Sequence, residues 1–187
     1  MANARQEQKA RSRQKILAAA SKRLRLGGPK NVGIATVTAD AGLTHGAFYA
    51  HFQNKDELTK AAFNQAINAN QTPWFSDADL ADTFDERLAR LARRYLTVQH
   101  RDNPAEGCVI AALASELDQG SSSLQEDYSE AVKLTIQEIA QNEPKQLDRA
   151  IEFFATMIGA LNLARNTLDK RLSNQILQVT AARYIRD

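Results

Sequence analysis

Residues 41–58 read Ala41-Gly42-Leu43-Thr44-His45-Gly46-Ala47-Phe48-Tyr49-Ala50-His51-Phe52-Gln53-Asn54-Lys55-Asp56-Glu57-Leu58, and the rest of the chain is organised around them. Gly42 suits a sharp turn between two helices, because glycine alone takes positive φ at little steric cost. Thr44 suits the next N-cap, its hydroxyl accepting from an amide of the first turn. Phe48 and Phe52 stand four residues apart, so both rings fall on one helical face and can bury against the preceding helix. The opposite face then presents His45, Gly46, Ala47 and Tyr49. It holds no carboxylate and can approach a polyanion without repulsion. The stretch therefore reads as the turn and second helix of a helix-turn-helix. A further helix opens at a capping box in which Asn54 caps and Glu57 reaches back.

Ala-Gly-Leu-Thr-His-Gly-Ala-Phe-Tyr-Ala-His-Phe-x-x-Lys-Asp-x-Leu resembles the DNA-binding signature of the TetR/AcrR family of bacterial transcriptional regulators. The likeness is dense from about residue 11 to 63 and weak beyond. A bare helix-turn-helix pattern is common by chance, but Gly46, Tyr49, Phe52 and Lys55 at this spacing after Ala41-Gly42 are not. Gly33 departs from the pattern where a Ser or Thr often caps, and Val37-Thr38 replaces the usual Ile-Ala. The resemblance implies DNA contacts from Thr44, His45, Gly46, Ala47, Tyr49, His51 and Lys55. It also implies an all-α fold, with a three-helix DNA-binding domain over residues 1–54 and a six-helix effector-binding and dimerisation bundle over 55–187.

Charge is divided along the same line. Residues 1–60 hold 11 Lys and Arg against 4 Asp and Glu, whereas the remainder holds 13 against 18. A basic half that carries the motif is the footprint expected of DNA binding. A composition of 43% hydrophobic and 25% charged residues, with few Gly or Pro, reads as a soluble helical protein. No apolar run approaches bilayer length and the N-terminus has no signal-peptide core, so a cytoplasmic location without a membrane partner is expected. Cys108 is the only cysteine, which excludes an intramolecular disulfide and a cysteine-based zinc site.

Taken in order, Arg5 to Lys15 is basic and polar, and its first residues are expected to fray. A helix carrying Ile16, Leu17, Ala20 and Leu24 ends at Gly27-Gly28-Pro29. A short helix from Ile34 to Ala41 and the recognition helix complete the first domain. The fourth helix runs to about Asn70, and Thr72-Pro73-Trp74-Phe75-Ser76 marks its joint with the fifth. Phe84, Leu88, Leu91, Tyr95 and Val98 recur as one stripe of that fifth helix. Asn103-Pro104-Ala105-Glu106 reads as the start of a sixth helix to about Leu117, with Cys108 about a turn inside it. Ser123-Leu124-Gln125-Glu126 opens a seventh. The last two, about Pro144 to Leu168 and Lys170 to Tyr184, carry Ile151, Phe154, Met157, Ile158, Leu161 and then Leu172, Ile176 and Val179.

The three histidines, His45, His51 and His100, form no pair on one face beside a buried carboxylate, and no phosphate loop or nucleophile elbow is present. No catalytic residue, metal site or cofactor is therefore expected, and His100 reads as a polar helix end. The resemblance implies a homodimeric repressor on a palindromic double-stranded operator, released by a small-molecule effector in the bundle. Candidate pocket residues are Phe63, Ile67, Trp74, Phe84, Tyr95, Cys108, Met157 and Asn162, all equally suited to ordinary packing. Candidate interface residues are Ala155, Gly159, Ala160 and Ile176, where small side chains permit close approach between or within subunits. Two alternatives stay open: a DNA-binding regulator without an effector, and a thiol-based sensor acting through Cys108.

Overall fold

The computed structural model describes residues 2–75, 78–117 and 122–185, and the described residues form ten α-helices joined by short 3-10 turns, with no strand. Helix α1 spans Ala2–Gly27 and so starts where fraying was expected. Residues 2–15 are almost all strong helix formers, and Glu7 pairs with Arg11 one turn on at 3.2 Å. Gly28, at φ 64°, turns the chain away, its N–H bonded to Leu24 O at 3.0 Å. Helices α2 (Ile34–Asp40) and α3 (His45–Tyr49) follow. Ile16, Leu24, Val32, Val37, Phe48 and Phe52 make the small core beneath them. Leu58 and Ala62 of α4 (Lys55–Phe75) close it, and the Ser21 hydroxyl donates to Ala62 O at 2.8 Å.

Helix α4 continues through Pro73 to Phe75, past the break expected at 72–76; Ser76, at the end of that stretch, lies outside the described residues. The stripe read as one fifth helix is two. Helix α5 (Phe84–Tyr95) stops at Leu96, and the Thr97 hydroxyl caps α6 (Val98–Asp102) by accepting from His100 N–H at 3.0 Å. The single sixth helix also divides. Pro104–Glu106 is a 3-10 turn, Gly107 is extended, and Cys108 occupies the N-cap position of a five-residue α7 (Val109–Leu113). Asn103 does not cap there, because its amide donates back to Gln99 O at 2.8 Å. Cys108 is therefore at a helix entrance rather than a turn inside.

Helix α8 (Ser122–Ile139) already includes Ser123, and α9 (Leu147–Asn166) and α10 (Lys170–Ala182) complete the bundle. Asp169 caps α10 through Arg171 N–H at 2.8 Å and Leu172 N–H at 3.3 Å. Arg87 is buried in α5 and donates to Ile139 O at 3.1 Å and to Glu138 O at 2.9 Å, the latter also accepting from Gln141 N–H at 3.1 Å, so it adds a charged donor to the carbonyls at the end of α8. No described helix is long and apolar enough to cross a membrane.

Candidate nucleic-acid interface and cavity

The interface is built on a short, stiff turn. Gly42 takes φ 66°, and Leu43 N–H closes the turn on Thr38 O at 2.9 Å. Gly33 brings no capping side chain to α2, and the Thr38 hydroxyl bonds back to Ile34 O at 3.0 Å. Phe48 and Phe52 are buried and stacked, ring centres 5.7 Å apart, and they seat α3 as its spacing required. Thr44 occupies the N-cap position, but its hydroxyl makes no capping bond and stays exposed. On the outer face Tyr49 is 59% exposed and His45 meets it edge-on at 5.5 Å. A Cβ on Gly46 would meet nothing within 4 Å. Nothing inside the protein requires that glycine. Ala47 is half-buried at the edge of the same face.

Helix α4 starts beside α3 through the expected box, with Glu57 N–H bonded to Asn54 Oδ1 at 2.9 Å. The Glu57 carboxylate reaches one residue further back than expected, accepting from Gln53 N–H at 2.7 Å. Lys55 stands half-exposed at the first position of this helix, where the dipole disfavours a cation. His51 was expected among the DNA contacts. It is half-buried, with Nε2 2.7 Å from Ser12 Oγ of α1. The Arg23 guanidinium, at 2.6 Å, holds the Asp40 carboxyl below its ordinary range, so the one acid of α2 is neutralised.

Residues 16–62 match the family model described as bacterial regulatory proteins, tetR family. That segment is similar to the tetR family of bacterial regulatory proteins. Among curated proteins no sequence matches. Solved TetR-family regulators share its fold: one from Cytophaga hutchinsonii is 19% identical with a TM-score of 0.79, covering 95% of this chain and 94% of its own. Another, from Chloroflexus aurantiacus J-10-FL, is 21% identical with a TM-score of 0.79 and the same coverage. A third is AibR in complex with isovaleryl coenzyme A and operator DNA, 18% identical with a TM-score of 0.68, covering 92% and 97%.

The break between α6 and α7 opens a cleft of about 380 Å³, bordered by Trp74, Arg94, Thr97, His100, Glu106 and Cys108 among others. A second void of about 30 Å³ lies behind Trp74 and Cys108 against Ile67 and Val109. It is about large enough for one water. Of the eight residues expected to gather, Ile67, Trp74 and Cys108 meet here. Tyr95 lies wholly buried beneath, its ring 4.5 Å from Trp74. Phe63, Met157 and Asn162 do not border either space among the described residues. Phe63 packs against Tyr128 at 6.3 Å, Met157 is core, and Asn162 donates to Ala111 O at 3.1 Å. Phe84 lies elsewhere, under the Arg149 guanidinium at 5.0 Å.

His100, read as a polar helix end, is instead a structural member of the cleft. Its Nδ1 lies 2.8 Å from Tyr95 O and its Nε2 accepts from Cys108 N–H at 3.1 Å, which assigns the proton to Nδ1. Burial, reinforced by Arg165, holds this imidazole below its ordinary pKa despite the carbonyl. Gly107 is hemmed in: a Cβ would approach Arg165 Nη2 to 2.8 Å and His100 Nε2 to 3.0 Å.

The interface candidates divide. Ala155 and Gly159 are exposed on α9, whereas Ala160 faces the chain's own core and Ile176 is packed partly against it. Leu147, Ile151 and Leu163 continue the row of Ala155 and Gly159 at four-residue spacing, and Leu172 and Val179 of α10 are likewise exposed. The apolar rows of α9 and α10 have the periodicity of a buried face, but none of the described residues covers them.

Proposed function

We propose that the chain is a homodimeric repressor that grips a palindromic operator through two copies of α3 and releases it when a small molecule occupies the cleft between α4, α6 and α7. The observation that carries the DNA half is the outer face of α3. His45, Gly46 and Tyr49 stand exposed on a seat fixed by Phe48 and Phe52, and Gly46 leaves room that no internal contact needs. One such helix reads only a few base pairs, so two copies on an inverted repeat are needed for affinity and specificity. The exposed apolar rows on α9 and α10 support a two-fold surface of the kind an obligate dimer buries.

Release needs a ligand whose affinity differs between the DNA-fitting and DNA-misfit states. The cleft is suited to report such binding to α1. The Arg25 side chain, only 8% exposed as a residue, donates to Gly107 O at 2.8 Å on the cleft rim and to Ala66 O of α4 at 3.3 Å. Lys22 meets Glu106 at 3.0 Å alongside. A ligand that moved the 104–108 segment would therefore pull on both helices that carry the recognition helix. That AibR holds a coenzyme A thioester together with operator DNA supports a fold able to accommodate both.

The test is operator release: a duplex recovered by selection is titrated with candidate metabolites, and the effector lowers its occupancy. Failure of any library member to do so, with selection of DNA intact, favours the second reading, a regulator without an effector. The polar border of the cleft and the small size of the apolar void behind it are the observations on that side.

A further inference from the structure

Helix α1 overshoots the domain it belongs to. Residues 4–11 are exposed, and the first core residue is Ile16. This overhang carries Arg5, Lys9, Arg11, Arg13 and Lys15 against Glu7 alone. An exposed helical stretch of this length frays in water unless something holds it. Two contacts do. The Arg13 guanidinium lies 5.2 Å over the Phe52 ring, and Ser12 Oγ is 2.7 Å from His51 Nε2. Ser12 gives its own proton to Lys9 O at 2.9 Å, so the imidazole donates from Nε2. His51 Nδ1 is shielded from solvent and has no partner. Burial first, then Lys9 and Arg13, holds this imidazole below its ordinary pKa, and it is neutral at pH 7. The ring is thus engaged inside the protein, not offered to DNA.

We propose that the basic overhang of α1 is a second DNA-contacting element, held against the end of the helix-turn-helix by the Ser12–His51 hydrogen bond, with Lys9 and Arg13 placed against the phosphates of duplex DNA. His51 is then a positioning residue and not itself a phosphate contact. From Arg5 to Arg13 the helix rises about 12 Å, the length of roughly three to four base pairs, so its cations can follow the backbone beside the groove that α3 enters. The inference rests on the DNA-binding reading of α3.

Because phosphate contacts carry no sequence information, a mixed-sequence duplex is a sufficient probe. Affinity is measured by fluorescence anisotropy across about 50 to 200 mM salt, the range over which phosphate contacts tell most. Lys9→Ala and Arg13→Ala should each reduce the slope of log K against log salt by about 0.9 per protomer. Ser12→Ala should reduce it by more than either, because the freed overhang withdraws both cations, while Ser12→Thr keeps the hydroxyl and the parent slope. Urea midpoints of all four variants should stay at the parent value, which separates lost phosphate contacts from lost folding. A parent slope in the Lys9→Ala/Arg13→Ala double variant, or in Ser12→Ala, overturns the proposal while Lys55→Ala still lowers the slope. Absence of any salt-dependent binding by the parent overturns the reading of α3 and this proposal together.

Discussion

Replacing Arg87 by methionine removes a charged donor from the end of α8 while keeping most of the side-chain volume. The guanidinium is 1% exposed, bonds the carbonyls of Glu138 and Ile139, pairs with Asp79 Oδ1 at 2.7 Å and lies 5.6 Å from the Phe75 ring. Hydrogen bonds from a charged donor contribute about 1.5–3 kcal/mol each, so the two carbonyl bonds set a gross loss of about 3–6 kcal/mol. Methionine recovers part of this, because it no longer holds a desolvated charge and buries an apolar chain. A net loss of about 3 kcal/mol follows, and for a chain of this size that lowers Tm by about 6–12 °C. Asp79 is the control. Its side chain is 56% exposed, so Asp79→Asn should cost less than about 1 kcal/mol. Urea denaturation at one fixed protein concentration reads both, since association adds to apparent stability. An Arg87→Met variant within about 0.5 kcal/mol of the parent would refute the capping role. So would an Asp79→Asn cost equal to it, which would make the ion pair the source of stability.

Three further outcomes follow from the site. His45→Ala should relax base preference by about 1–3 kcal/mol at one position of each half-site in competition binding, leaving non-specific affinity in place; unchanged preference would reduce His45 to a phosphate contact. Gly159→Trp should give folded monomers by sedimentation, because a Cβ at this position meets nothing within 4 Å and the residue stands mid-row in the exposed apolar face; a variant that stays dimeric moves the interface elsewhere. His100 is held neutral, so its contribution to stability is complete above the unfolded pKa of about 6.5 and is lost as pH falls from there through its lower folded value. His51 acts with the same sign. Melting between pH 7.5 and 5 should therefore fall less steeply for His100→Asn than for the parent, and equal slopes would count against the buried hydrogen-bonded imidazole.

The parts of this fold legible in the sequence are those fixed within one turn of chain. Gly42 takes the left-handed turn, Phe48 and Phe52 stack as their spacing requires, and Asn54 caps α4. The breaks at Leu96 and Gly107 were not legible from the apolar stripe, because periodicity continues across them while tertiary contacts decide them. Thr97 could have marked the first, since its hydroxyl caps α6, and Asp169 does the same for α10. Gly107 is confined by Arg165 and His100 from elsewhere in the bundle, which no local pattern announces. His51 was expected among the DNA contacts, and its partner Ser12, 39 residues away, is nothing a local pattern announces. Ile151, Leu172 and Val179 show a different limit: an apolar row marks a face to be covered without saying whether its own chain or another copy covers it.

Selection from a randomised pool tests most directly whether the exposed face of α3 reads duplex sequence. The account expects enrichment of an inverted repeat whose half-sites lie about one helical turn, roughly 34–36 Å, or a multiple of it apart. A His45→Ala/Tyr49→Ala variant should lose that enrichment while remaining folded. A pool that emerges unenriched, or the same repeat recovered by parent and variant alike, would contradict it.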